Sequence, residues 1–201
     1  MDSNRMKIES ADSRKDTMAK VCTNEKTAAR QRWIENGLLE RMEKCRFEDI
    51  TVTDLCQHLN LSRRSFYRYF RDMEDVLDSL MDHTFQDMVI TDTGITVAEL
   101  EKYYEFWFRH KALLNALAHS GMYSKITEYA MQYANEESLK KHLPAHGPGA
   151  DLSREINLFV ISGLASLMIS WHAGGFQKTP RQMASIAYRM LSEPLLIHTQ
   201  T

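Results

Sequence analysis

Residues that break helices are scarce in this chain, and where they fall dictates most of its architecture. The 201 residues include eight glycines and four prolines, about half the ~12% share of average proteins. A β-sandwich or barrel needs a turn every ~8–12 residues, and this chain cannot supply them. The breakers cluster at Gly94, Gly121, Pro144–Gly149, Gly174–Gly175 with Pro180, and Pro194. They leave the segments 96–118, 122–142, 151–173 and 180–193 uninterrupted. Each segment repeats apolar residues at helical spacing, as Ile156, Phe159, Val160, Gly163, Leu167 and Trp171 do. No stretch alternates with period two for long, and no internal repeat is present. The pattern predicts an all-α protein of about nine helices.

The chain is 43% hydrophobic, with eight Phe, eight Tyr and three Trp, enough apolar material for a sizeable core. Residues 1–24 are polar, of mixed charge and aperiodic, and read as a disordered tail. The net charge of −2 gives no global attraction to nucleic acid, so any such partner must meet a local patch. Cys22, Cys45 and Cys56 form neither a disulfide framework nor a zinc pair. No apolar run approaches the ~18 residues of a membrane span, and the first residues lack a signal peptide's apolar stretch. These features point to a cytoplasmic protein with no membrane, metal or cofactor partner.

Residues 25–90 differ from the rest in their density of cap signals. Thr51 and Asp54 form a capping-box variant, with Ile50 and Leu55 placed to staple over it. The helix so started carries Leu55, Cys56 and Leu59 on one face. Asn60 stands where the chain must leave that helix, a position that tolerates the left-handed conformation. Ser62 can then cap a second helix, Arg63–Phe70. Helix, turn and helix make a helix-turn-helix. Phe66 and Phe70 share the inward face of the second helix. Arg63, Arg64, Ser65, Tyr67, Arg68 and Tyr69 occupy the outward face and its margins. Residues 62–71 hold four arginines and no acid. Eight helical residues extend about 12 Å, the width of a B-DNA major groove at ~12 Å. Arginine's planar fork matches guanine or phosphate, and tyrosine can donate to phosphate or pack on a thymine methyl. An arginine cluster alone would read as a solvated helix face. On the outward face of a capped helix-turn-helix, with no neutralising acid, it points to double-stranded DNA.

The stretch ITVTDLCQHLNLSRRSFYRYFRDMEDVLDSL resembles the DNA-binding domain of the tetracycline-repressor family of transcription regulators, over about residues 25–80. Carried across position by position, the resemblance puts DNA contacts on Thr53, Arg63, Arg64, Ser65, Tyr67, Arg68 and Tyr69, beside the capping residues Thr51 and Ser62. A phosphate-binding lysine common in the family falls on Met73, and Arg71 is its nearest substitute. In the C-terminal half, Trp171, Gly174, Gly175 and Phe176 with Thr179–Pro180 are similar to a subgroup from low-GC Gram-positive bacteria. Some members of that subgroup are associated with dihydroxyacetone kinase operons. The resemblance implies a division into a DNA-binding unit at 25–80 and an effector and dimerisation unit at 81–201.

The aromatic residues of the C-terminal half read first as core. The resemblance additionally places a small-molecule effector pocket near Phe106, Trp107, Tyr129, Tyr133 and Trp171. Small residues Ser162, Gly163 and Ser166 on one helix, with Met183, Ala187 and Met190 on the next, suit half of a four-helix dimer interface. A buried intrachain helix would read the same from sequence, and the resemblance favours the homodimer. No catalytic constellation emerges. His142 and His146 are separated by Pro144 and lack a completing acid or cysteine, and no HExxH, GxSxG, GxxxxGK or GxGxxG motif occurs. Cys56 reads as a small buried apolar residue. The expectation is a ligand-responsive repressor that binds a near-palindromic operator as a homodimer. A DNA-binding or architectural factor without effector, regulated by a protein partner, and an activator are the alternatives.

Overall fold

The computed structural model describes residues 25–88, 95–134 and 153–192. Among these residues are nine α-helices, one 3-10 turn and no strand, in keeping with the breaker pattern. The helices are α1 (Glu25–Met42), α2 (Val52–His58), α3 (Arg63–Phe66), α4 (Met73–Gln86) and α5 (Val97–Arg109), then α6 (Lys111–His119), α7 (Ser124–Ala134), α8 (Ser153–Ala173) and α9 (Pro180–Ser192). The predicted tail 1–24, the breakers Gly94, Pro144–Gly149 and Pro194, and His142 and His146 all lie outside the described residues.

The segment 96–118 is two helices rather than one. His110 closes α5 by donating from Nδ1 to the Phe106 carbonyl at 2.8 Å, and α6 begins one residue later. No glycine or proline marks that corner, so the sequence pattern ran straight through it. The next corner is conventional. Gly121 has φ of +67°, and the Met122 N–H reaches back to the Leu117 carbonyl at 2.8 Å, which ends α6 in a left-handed glycine cap.

One apolar cluster runs through the molecule. It joins Ile34, Leu38 and Met42 of α1 to Leu55, Phe66 and Phe70, then to α4, and on to Trp107, Leu114, Ile126 and Trp171. In it α1 packs on α4 and α6, α7 packs on α8, and α9 lies mainly along α5. Helix α4 crosses position 80, so both halves of the chain share it. Among the described residues no helix is long and apolar enough to cross a membrane, and no group of three or more His, Cys, Asp or Glu could hold a metal ion.

Candidate nucleic-acid interface

Local hydrogen bonds build the arginine-bearing surface from its caps. The Asp54 N–H donates to Thr51 Oγ1 at 3.1 Å, and the Thr51 N–H donates to Asp54 Oδ2 at 3.0 Å. This reciprocal box starts α2. The Thr51 bonds hold the Asp54 carboxyl below the usual range. Asn60, with φ of +47°, turns the chain, and the Leu61 N–H bonds the Cys56 carbonyl at 2.8 Å. Ser62 Oγ then accepts from the Ser65 N–H at 3.1 Å and opens α3. Leu55, Cys56, Leu61, Phe66 and Phe70 are all buried beneath this turn.

The second helix is shorter than the predicted Arg63–Phe70. The α-helix ends at Phe66, and residues 67–70 continue as tightened turns. Two of their bonds span three residues, from the Arg68 N–H to the Ser65 carbonyl at 3.3 Å and from the Tyr69 N–H to the Phe66 carbonyl at 2.9 Å. Phe66 and Phe70 both reach the core, with ring centroids 6.1 Å apart, and the Phe70 N–H still bonds the Phe66 carbonyl at 3.1 Å. The outward side chains remain together in spite of the tightening.

Thr51, Thr53, Ser62, Arg63, Arg64, Tyr67, Arg68 and Arg71 are exposed, while Ser65 and Tyr69 are half-buried. Ser62 and Ser65 share a hydroxyl–hydroxyl bond of 2.8 Å. Arg63 Nη2 donates to the Tyr67 hydroxyl at 3.4 Å, and the Arg68 guanidinium lies 6.0 Å from the Tyr69 ring centre. Arg71 is committed to α4. Its N–H meets Asp75 Oδ2 at 2.9 Å and its Nη2 meets Asp75 Oδ1 at 3.1 Å, so it is less open to a phosphate than a free lysine would be. Asp75 also raises the Arg71 pKa.

Sequence reasoning missed how firmly α4 is gripped. Glu35 of α1 is 1% exposed. It accepts from Ser79 Oγ at 2.8 Å and from His83 Nδ1 at 2.9 and 3.0 Å. The signal was present in the α1 stripe Gln31, Ile34, Glu35, Leu38 and Met42, where a carboxylate occupies a buried position. From α7, Lys125 Nζ reaches Asp78 Oδ1 at 2.9 Å and Glu74 Oε2 at 3.4 Å. One and two turns further on, Tyr129 donates to the Asp78 carbonyl at 3.4 Å and Tyr133 to the Asp82 carbonyl at 3.0 Å.

The five aromatic residues expected at one pocket lie along one run of ring contacts, in which Phe106 meets Trp107 at 5.5 Å and Trp171 joins through Tyr104 and Tyr103. Trp107, Tyr129 and Tyr133 converge on Phe85, with centroid distances of 5.6, 5.9 and 5.5 Å. Trp171 sits 5.5 Å from Tyr104, 6.0 Å from Phe108 and 4.6 Å from Phe176. Its Nε1 donates to the Lys178 carbonyl at 2.9 Å. Phe106 stacks on His110 at 4.1 Å. A cleft of 210 Å³ opens between the end of α4 and α5, where Asp87, Glu99, Lys102, Tyr103, Phe106 and Arg109 contribute to its lining. Of the expected pocket residues, Phe106 alone touches it. Burial raises the Tyr104 pKa to about 12 and pushes that of Tyr129 further up, with the Asp78 carboxylate adding to the effect.

The expected dimer face also divides. Met183 and Ala187 are 6% and 0% exposed within the single chain, because α9 turns that stripe onto α5, so neither is open to a partner. Ser162 and Gly163 are half-buried, and Ser166 and Met190 are exposed. The unpartnered apolar residues of this region are Ile156 and Phe159 on α8 with Ile186, Tyr188 and Met190 on α9. Nearby, the Tyr123 hydroxyl meets His172 Nδ1, and His172 Nε2 donates to Asn115 Oδ1 at 2.8 Å. Burial lowers the His172 pKa.

No family model matches the chain, and no curated protein matches it. Solved structures do. The dihydroxyacetone kinase operon activator DhaS is similar with a TM-score of 0.58 and 16% identity, covering 80% of this chain and 93% of its own. The fatty acid degradation regulator FadR from Bacillus halodurans is similar with a TM-score of 0.52 and 15% identity, covering 83% of this chain and 96% of its own. The chain shares the all-α fold of these two transcription regulators over most of its length.

Proposed function

We propose that the protein is a sequence-specific DNA-binding transcription regulator of the tetracycline-repressor type, acting in the cytoplasm as a homodimer on a near-palindromic operator. The observation that carries this reading is the capped turn from Thr51 to Phe70, which presents Arg63, Arg64 and Arg68 outward with no acid among residues 62–71. Base edges are read by such a helix, and phosphates by its flanks. The regulators of similar fold support it. In this reading residues 25–80 engage DNA, and residues 81–201 dimerise and receive an effector. Phe159, fully outside the protomer core, and its neighbours on α8 and α9 supply the apolar surface for a second copy.

As a repressor the protein would release DNA on binding a small molecule. Two recognition helices fit successive major grooves only about 34–36 Å apart. Helix α4, which follows the recognition helix and is held by both α1 and α7, is the element whose tilt would change that spacing. Two other readings have specific support. Tyr129, Tyr133 and Trp171 already spend their polar tips inside the protein. That commitment favours a regulator without an effector. An activator role is named for the similar DhaS. The test is selection of duplexes from a random library by the purified protein, then a metabolite screen on the recovered site. A motif with two half-sites one helical turn apart supports the reading. Recovery of random sequence alone overturns it. Release by a metabolite marks the repressor, and tightening marks an activator or corepressor system.

A further inference from the structure

Of the outward arginines, two adjacent ones are treated very differently by the fold. Arg63 is the first residue of α3 and Tyr67 is the residue that closes it, one helical turn away and on the same face. The Tyr67 hydroxyl accepts from Arg63 Nη2 at 3.4 Å. The guanidinium carbon also lies over the Tyr67 ring, 5.9 Å from its centre. The tyrosine is itself oriented from below. Phe66, 0% exposed, meets the Tyr67 ring edge-on at 5.4 Å and 87°. A chain of contacts therefore runs from the core through Phe66 and Tyr67 to the Arg63 fork. Arg64, next along, has no hydrogen bond, ion pair or ring contact among the described residues.

We propose that Tyr67 is a positioning residue that holds the Arg63 guanidinium for reading a base edge, while the unrestrained Arg64 serves the phosphates. The proposal rests on the DNA-binding reading and assigns its specificity. A bidentate contact to a guanine edge demands that a planar fork arrive in one orientation, whereas a phosphate accepts a cation from many directions. Ordering a long side chain on binding opposes affinity, and the fold that orders it beforehand removes that cost. The Tyr67 hydroxyl keeps its own proton while accepting from Arg63. Its loss would therefore also be felt if it donated to a phosphate, but that loss would be the same on every sequence.

The experiment has two arms. In the free protein, NMR of the guanidinium groups compares Arg63 with Arg64. The proposal expects Arg63 to be the more restricted and Tyr67→Phe to release it, and equal mobility in the wild type overturns the proposal whatever the protein does with DNA. In the second arm, the duplex recovered by selection and its single-base-pair variants are titrated with wild type, Tyr67→Phe, Arg63→Ala and the double variant, with thermal melting to check folding. Tyr67→Phe should lower discrimination by about three- to tenfold at one base pair per half-site, and it should have no further effect when Arg63 is already alanine. Uniform weakening on all sequences, additive losses in the double variant, or no change in discrimination overturns the proposal and leaves the DNA-binding reading standing. Failure to recover any duplex overturns both.

Discussion

Removing the Glu35 carboxylate should be among the most destabilising single changes in the chain. Glu35 lies 1% exposed, and Ser79 Oγ and His83 Nδ1 both donate to it, at 2.8 and 2.9 Å. Glu35→Ala leaves both donors facing apolar surroundings without an acceptor. Breaking one side of a buried pair typically costs about 3–5 kcal/mol. At about 2–4 °C of melting temperature per kcal/mol for a chain of this size, that predicts a fall of about 6–20 °C. Glu35→Gln keeps an oxygen for Ser79 and should cost less, about 1–3 kcal/mol. Joint replacement of Glu35 and His83 by apolar residues of similar volume should recover much of the loss, because it also removes the burden of burying polar groups. Calorimetry or thermal circular dichroism of the series decides the matter. A Glu35→Ala loss below about 1 kcal/mol, the scale of an exposed pair, would refute the claim that this contact fixes α4 against α1.

Gly37→Ala should destabilise by about 1–3 kcal/mol despite alanine's better helix propensity, because the added Cβ would lie 2.5 Å from Leu59 Cδ2; denaturant unfolding measures it. Phe159→Lys should convert the protein from a species near twice 23.4 kDa to one near 23.4 kDa in light scattering, since Phe159 is 71% exposed on α8, and a wild type that is already monomeric at micromolar concentration contradicts the dimer. Burial lowers the His172 pKa from 6.5, so the unfolded chain binds the proton more readily than the folded one. The stability contributed by neutral His172 should therefore be present above pH 6.5 and decline as pH falls below it. Chemical denaturation across that range should show the decline weakened in His172→Gln.

What was legible in the sequence was what is decided locally. The Thr51–Asp54 box, the left-handed Asn60 and the Ser62 cap each depend on residues three or four apart, and all three form as the residue types dictate. The outward arginines could be read for the same reason, because Phe66 and Phe70 fix the inward side of a single turn. The α-helix stops at Phe66 rather than Phe70 because the Arg68 and Tyr69 N–H groups bond three residues back rather than four, a change that no residue type there signals. The corner at His110 was hidden because a histidine bonding back to the Phe106 carbonyl leaves no composition signal. The partners of the aromatic residues were not legible, because sequence gives the face of each helix but not the helix it meets. Tyr133 turns out to face Phe85 and Asp82, and Trp171 faces Phe176. On α9 the stripe carrying Met183 and Ala187 reads equally as a dimer face or an intrachain contact from sequence, and within the protomer it is buried, with α9 on α5 and Met190 outside.

The most direct test of sequence-specific DNA binding through the Arg63–Arg64 surface is a competition titration. The duplex recovered by selection is compared with a scrambled duplex of equal length at about 0.15 M salt, where exposed electrostatics are screened within ~8 Å. The wild type should prefer the selected duplex by at least about 10³-fold. The Arg63→Ala/Arg64→Ala variant should lose most of that preference while melting at the wild-type temperature. A wild type that binds both duplexes equally, or a double variant that retains the full preference, would contradict it.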